Sequence, residues 1–222
     1  MDQQKDYFIS VASHELKTPI TSIKGYVQML SIMYDKSEDT FLKTSLTAVD
    51  RQILKLTTLI SDLLDISKIK SGSLPLSKED FEIKSVIKDC IDEIEHINPA
   101  YKIIYHSKDN LTLYADRERI GQVFINFLTN AVKYSPGKSE VIIESFKQEN
   151  NIVVMVKDSG IGISKKDQQK IFERFYRVEG KSEKTFPGFG IGLFIVAEII
   201  QRHNGKIGVE SEPGKGSSFY FS

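Results

Sequence analysis

Three patterns in the chain have residue types and spacing that can do chemistry: a histidine beside a glutamate, a row of amides on a helix, and three glycine clusters. The first is Ser13-His14-Glu15-Leu16-Lys17-Thr18-Pro19. Around it Ala12, Leu16, Ile20, Ile23, Val27 and Leu30 recur at steps of four and three, which predicts an amphipathic helix. His14 stands two residues before Leu16, about 200° around the helix from that seam, and is expected to be exposed. Thr18 lies one turn later on the same face. Pro19 lacks an N–H, so the bond to the Glu15 carbonyl is lost and a bend is expected beside the histidine. A proline inside a helix costs about 3 kcal/mol, which a function or a strong packing reason must offset. Neutral imidazole is a workable nucleophile near neutral pH, and an adjacent carboxylate such as Glu15 can orient it or take its proton. Metal binding is the rival, but no second His or Cys stands three or four residues away.

The amide row is Gln122, Asn126 and Asn130, spaced by four through the otherwise apolar segment 120–134, with Lys133 and Tyr134 at its end. Spacing of four puts the amides on one face. An unpaired buried amide costs about 1–3 kcal/mol, so the row must meet partners. Two readings stand: a hydrogen-bonded structural network, or ligands to a hydrated Mg²⁺ shared with a phosphate, with Lys133 on the phosphate and Tyr134 near a base. The glycine clusters are Asp158-Ser159-Gly160-Ile161-Gly162-Ile163 after a strand, Gly188-Phe189-Gly190-Ile191-Gly192-Leu193 opening a helix, and Gly214-Lys215-Gly216 before the last strand. A glycine-rich helix start offers free N–H groups to phosphate. Gly137-Lys138-Ser139 and Gly180-Lys181-Ser182 mimic the end of a P-loop, but its first glycine is replaced by Val132 and Phe175. Gly188, Gly190 and Gly192 also miss the dinucleotide fingerprint spacing, and no βαβ unit surrounds them.

The elements that must hold these residues differ between the two parts of the chain. Leu42, Leu46, Val49, Ile53, Leu56, Ile60 and Leu63 form a second unbroken seam, and a short polar segment at 34–39 joins it to the first. Residues 7 to 70 therefore read as an antiparallel helical hairpin. Seams this long cannot bury fully against each other, so a dimeric four-helix bundle is expected. After the Gly and Pro punctuation at 71–75, strands are expected at 81–83, 102–106, 111–114, 140–147, 151–157, 206–210 and 217–221. Helices are expected at 84–96, 117–134, 165–173 and 191–203, giving an α/β sandwich with helices layered on one sheet. The boundary falls between residues 1–72 and 73–222. Of 222 residues, 30 Lys plus Arg balance 30 Asp plus Glu, so a polyanion-coating role is a poor fit and no nucleic-acid partner is expected. The single cysteine, Cys90, excludes an intramolecular disulfide framework. Cys90, His96, His106 and His203 read as core or surface residues.

Ser13 to Pro19 resembles the phosphoacceptor box of two-component sensor histidine kinases, and Asn126 to Tyr134 resembles their asparagine box. With the Asp158 turn, Phe172-Glu173-Arg174-Phe175 and the later glycine clusters, the order resembles their ATP-binding domain. That fold, the Bergerat or GHKL type, is shared with type II topoisomerases, a mismatch-repair ATPase and a heat-shock chaperone. The resemblance implies that Asp158 accepts from the adenine amino group, that Asn130 binds Mg²⁺, and that Gly188, Gly190 and Gly192 shape the phosphate end of a lid at roughly 178–188. Asn126, Lys133, Tyr134, Gly160, Gly162, Phe175, Leu193 and Ser217 complete the implied ATP site.

The expected activity is transfer of the γ-phosphoryl group of ATP·Mg²⁺ to His14, with Glu15 as base or orienting group, then onward to an aspartate in the receiver domain of a response regulator. Thr18 is expected to support dephosphorylation of that regulator. An ATPase of the same superfamily without phosphohistidine and a non-catalytic nucleotide-binding scaffold are the alternatives; the His-Glu-x-x-Thr-Pro turn and the intact set of boxes disfavour them. No apolar run reaches the roughly 18 residues of a membrane span. The resemblance implies a cytoplasmic catalytic core, expected to be a piece of a longer sensor attached to a membrane, if at all, through segments absent from this chain.

Overall fold

The computed structural model describes residues 20–21, 23–25, 27–28, 30–32, 40–72, 74–107, 109–178 and 190–222. His14, Glu15, Thr18 and Gly188 lie outside them. The chain divides into two compact units, Met1–Leu74 and Pro75–Ser222.

In the first unit the described residues within 20–32 are helical, and a long helix α1 spans Thr40–Lys70. Lys68 and Lys70 in its last turn complement the negative end of the helix dipole. Ile20, Val27, Ile53 and Ile60 form one buried cluster drawn from both helices, with Leu46 and Leu64 packed against it. Within each helix the cluster follows a seven-residue step: Ile20 to Val27, and Leu46 to Ile53 to Ile60. A second set on the same step, Ile23 and Leu30 with Val49, Leu56 and Leu63, stays 43–50% exposed. Each apolar seam is thus two rows, and the hairpin covers one.

The second unit alternates strands and helices as its periodicity requires. It runs β1 (Lys78–Glu82), α2 (Ile83–Ile97), β2 (Lys102–Ser107), β3 (Thr112–Asp116), α3 (Arg117–Tyr134), β4 (Glu140–Gln148), β5 (Asn151–Asp158), α4 (Gly192–Arg202), β6 (Ile207–Glu212) and β7 (Gly216–Phe221). A five-stranded sheet has the order β2-β4-β5-β7-β6, parallel only between β2 and β4. β1 and β3 form a separate antiparallel pair, so the expected single sheet is corrected to two. Alternate residues of the large sheet, Val141, Ile143, Val154, Val156, Phe219 and Phe221, are buried. α3 lays Phe124 edge-on to Phe221 at 5.7 Å between centroids and Phe127 against Phe219 at 5.4 Å. Burying such aromatics supplies much of the core energy.

The first turn of α3 is fixed by Asp116, whose carboxylate accepts from the backbone N–H of Arg119 at 3.0 Å and of Ser77 at 2.8 Å. The Asp116 N–H in turn donates to His203 Nε2 at 3.0 Å, while His203 Nδ1 lies 2.8 Å from the Ile199 carbonyl. His203 therefore pins the end of α4 to the start of α3. The helix expected at 165–173 is not formed; turns lead to a single 3₁₀ turn, Lys170–Phe172. The Asp167 and Gln168 N–H groups both return to the Ser164 carbonyl, and their side chains bond to groups outside an α-helical ladder. Polar side chains that compete in this way favour turns over helix. Among the described residues no helix is long and apolar enough to cross a membrane.

Candidate functional site

Asp158 closes β5 opposite Ser217 on β7. Its Oδ1 accepts from the Gly160 N–H at 2.8 Å and from the Ser135 hydroxyl at 3.3 Å, and the Ser217 backbone also donates to the carboxylate. Burial pushes the Asp158 carboxyl above the usual carboxylate range, and these three donors oppose it. The result is a fixed, half-buried acceptor at the end of a strand. Gly160 is required for a steric reason: a Cβ there would strike the Tyr134 carbonyl oxygen. The same carbonyl accepts from the Ile161 N–H at 3.1 Å, so the last turn of α3 holds the loop after Asp158. On the other side Gly162 packs against the backbone of Glu212 and Pro213.

The amide row divides. Gln122 accepts from Arg119 Nη1 at 2.8 Å and belongs to a structural network. Asn130 Nδ2 donates to Asn126 Oδ1 at 3.0 Å, which leaves the carbonyl oxygen of Asn130 as the group it can present to a cation. Gly192 abuts the Asn126 carboxamide so closely that a Cβ would collide with Nδ2, and this contact joins the first turn of α4 to the amide pair. Leu193 follows, partly buried, on α4. At the end of α3 the Lys133 ammonium lies 4.9 Å from the centre of the Tyr134 ring. Burial pushes the Tyr134 phenol up, and the Arg177 guanidinium acts in the opposite direction.

Phe175 stands at the foot of the segment that leads toward Gly190. Its N–H donates to the Gly190 carbonyl at 2.9 Å, its φ is 64°, and the Arg174 guanidinium lies 4.5 Å over its ring. The next residue, Tyr176, donates its hydroxyl to Asp167 Oδ1 at 2.7 Å, and Ser164 donates to Asp167 Oδ2 at 2.5 Å. Those two hydroxyls hold the Asp167 carboxyl below the usual carboxylate range.

Asn126, Asn130 and Gly192 therefore meet at one place, Tyr134, Asp158, Gly160 and Ser217 at another, and Phe175 with Gly190 at a third, all within the second unit. The Ser217 contribution is its backbone; its hydroxyl lies 2.9 Å from that of Ser211. Ser135, Asp167, Arg177 and Ser211 were not marked by the sequence patterns. The only available signal for Ser135 was its place directly after the polar end of α3. Such an arrangement can hold a purine base at Asp158 and a cation-bound polyphosphate along α3 and the start of α4.

Two family models match the chain. Residues 4–72 match the His Kinase A (phospho-acceptor) domain, and residues 115–222 match the histidine kinase-, DNA gyrase B- and HSP90-like ATPase. The sensor histidine kinase WalK of Bacillus subtilis is 34% identical over 100% of this chain and 37% of its own length. The histidine-protein kinase ArlS of Staphylococcus haemolyticus is 33% identical over 97% of this chain and 48% of its own. The chain thus spans less than half the length of these relatives. Among solved structures, the histidine kinase AdeS of Acinetobacter baumannii aligns over 94% of this chain and 95% of its own, with a TM-score of 0.61 and 28% identity. Full-length ShkA in complex with AMPPNP reaches 0.68 over 96% of this chain at 24% identity, a likeness of fold. With matching models on both units and relatives aligned along the whole chain, the protein belongs to the sensor histidine kinases, as a phosphoacceptor hairpin followed by a GHKL-type ATP-binding domain.

Proposed function

We propose that this chain transfers the γ-phosphoryl group of ATP to His14 and passes it on to an aspartate of a response-regulator receiver domain. The observation that carries the reading is the second unit's pair of fixed acceptors: the Asp158 carboxylate at the end of β5 and the Asn130 carbonyl oxygen freed by the Asn126 bond. The first suits an exocyclic amino group of a base. The second suits Mg²⁺, a hard cation that takes oxygen ligands and keeps several waters. When bound, Mg²⁺ supplies neutralisation of phosphate charge; Asn130 is the residue of this chain that would hold it. Lys133 and the N–H groups around Gly190 and Gly192 orient the phosphates, which is most of what phosphoryl transfer requires.

In the step itself a ring nitrogen of His14 forms a bond to the γ-phosphorus as the bond to the β–γ bridging oxygen breaks, and ADP leaves with that electron pair. Glu15 orients the imidazole or takes its proton. The phosphoryl group then moves from nitrogen to a carboxylate oxygen of the regulator. Thr18 is assigned to the reverse duty, positioning water for removal of phosphate from the regulator, and the regulator's phosphate half-life with kinase and ADP is its measurement. The working form is a homodimer held by the exposed row Ile23, Leu30, Val49, Leu56 and Leu63. The catalytic core works in the cytoplasm, where ATP is present.

Incubation with γ-labelled ATP tests the reading. An acid-labile, alkali-stable label is expected on the wild-type chain and none on His14→Gln, with ATP affinity changed less than about threefold because the histidine and the nucleotide residues occupy separate units. Label retained by His14→Gln would sink it.

A further inference from the structure

We infer that Gln168 is a positioning residue for the nucleotide base, acting through the loop that carries Asp158; the inference rests on the proposed ATP site. Gln168 lies in the turn where a helix was expected, and its side chain crosses to two separate pieces of backbone. Its Nε2 donates to the Ile163 carbonyl at 3.1 Å and to the Ser211 carbonyl at 2.7 Å. Both protons of one carboxamide nitrogen are therefore engaged, one on the loop after Asp158 and one on β6.

Ser211 completes the brace from the other strand. Its hydroxyl accepts from the Ile163 N–H at 2.8 Å, donates to the Gly216 carbonyl at 2.8 Å, and lies 2.9 Å from the Ser217 hydroxyl. Ser217 is the residue whose backbone donates to Asp158. One residue before Gly162, the Ile161 carbonyl accepts from the Gly214 N–H at 2.8 Å. The loop 159–163 is thus sewn to the β6–β7 hairpin along its length, and Gln168 is the only side chain in this set that arrives from outside both. Without it the Ile163 and Ser211 carbonyls lose their shared donor. The loop then gains freedom at Ile163, three residues after Gly160, whose N–H holds the Asp158 carboxylate.

A brace at the base end has a recognisable signature. It acts on every adenine nucleotide alike, whatever its phosphate number, and leaves the rate of transfer from bound ATP unaltered. Losing two neutral hydrogen bonds to partly buried carbonyls is expected to weaken ADP and ATP equally, by about tenfold.

The experiment uses the full 222-residue chain with ADP and ATP as probes, by calorimetric titration and single-turnover phosphorylation. Gln168→Leu is expected to lower both affinities together with kcat kept within about twofold, and thermal unfolding checks that the fold is retained. Gln168→Glu adds a second readout. As a carboxylate it faces two carbonyls without a proton, whereas protonated it regains one donor, so its ADP affinity is expected to recover partly as pH falls toward the carboxyl range. Gln168→Leu has no such recovery. Unchanged ADP affinity in Gln168→Leu, a fall in kcat at unchanged affinity, or identical pH profiles for the two variants would each overturn the inference. Wild-type chain that binds neither nucleotide would overturn the proposed function itself and the inference with it.

Discussion

The two units differ in what offsets the desolvation of a carboxylate and in how much apolar surface they leave open. In the nucleotide unit Asp158 is half-buried, yet three donors converge on it, and the sheet's aromatic core is covered by α3. In the hairpin unit Asp62 is half-buried beside the buried Asp65: desolvation and then the Asp65 charge push its carboxyl up to about 7. The hairpin also keeps five large apolar side chains 43–50% exposed on a seven-residue step. The contrast separates a unit whose sheet core is covered by its own helices from one that leaves a periodic apolar row open, the row proposed above for the homodimer. Periodic exposed apolar rows of this kind mark association sites rather than solvated faces.

A charge placed in each row of the hairpin has the largest expected effect. Ile53 is 8% exposed and Leu56 is 47% exposed, although they stand three residues apart in one seam. Ile53→Lys is expected to unfold the hairpin, at a cost of roughly 3–5 kcal/mol for an uncompensated buried charge. Leu56→Lys is expected to keep helix content and abolish association. Sedimentation together with circular dichroism separates these outcomes; equal behaviour of the two variants would erase the distinction between the rows.

A second test sharpens the nucleotide side. Asn130→Asp keeps an oxygen but loses the donor that fixes it to Asn126 Oδ1. The expected result is a changed Mg²⁺ dependence of ATP binding, on the order of tenfold in the metal midpoint, with the fold retained. An unaltered Mg²⁺ titration would return the pair to a purely structural network.

The smallest effect concerns pH and the hairpin alone. A carboxyl whose folded pKa of about 7 lies above the ordinary 3.8 favours folding in its protonated form. Its contribution is fully present below the lower value and is lost as pH rises through the upper one. Asp62→Asn is expected to flatten the stability of the hairpin between these limits and to raise its Tm at pH 8 by on the order of a few degrees. A Tm gain of the same size at pH 4 would remove Asp62 from the account.

Much of this was legible in the sequence because it rests on period. The alternation of 140–158 and 207–221 marked four strands, and the seams marked the hairpin. Period also concealed something: Ile53 and Leu56 look alike in a seam, and only the packed hairpin separates them. The helix expected at 165–173 failed because Asp167 and Gln168 bond across the fold, 9 residues to Tyr176 and 43 to Ser211. Local propensity carries no record of partners that distant. Ser135 and Ser211 were hidden for the same reason, since a serine beside a turn is ordinary until its partner is known. Asn126 and Asn130, by contrast, announced themselves because an i, i+4 pair inside an apolar helix is costly without a use.

The bond from the Phe175 N–H to the Gly190 carbonyl has a consequence for how this family can diversify. It closes a neck: the chain leaves at Tyr176 and returns at Gly190, where a Cβ would meet the Tyr176 carbonyl oxygen at 2.5 Å. For a flexible loop the cost of closing the ends grows only with the logarithm of its length, about 0.6 kcal/mol for each doubling. The bonds that hold Asp158, Asn130 and the sheet are made by residues outside that stretch, so its length can change at this small cost without removing any of them.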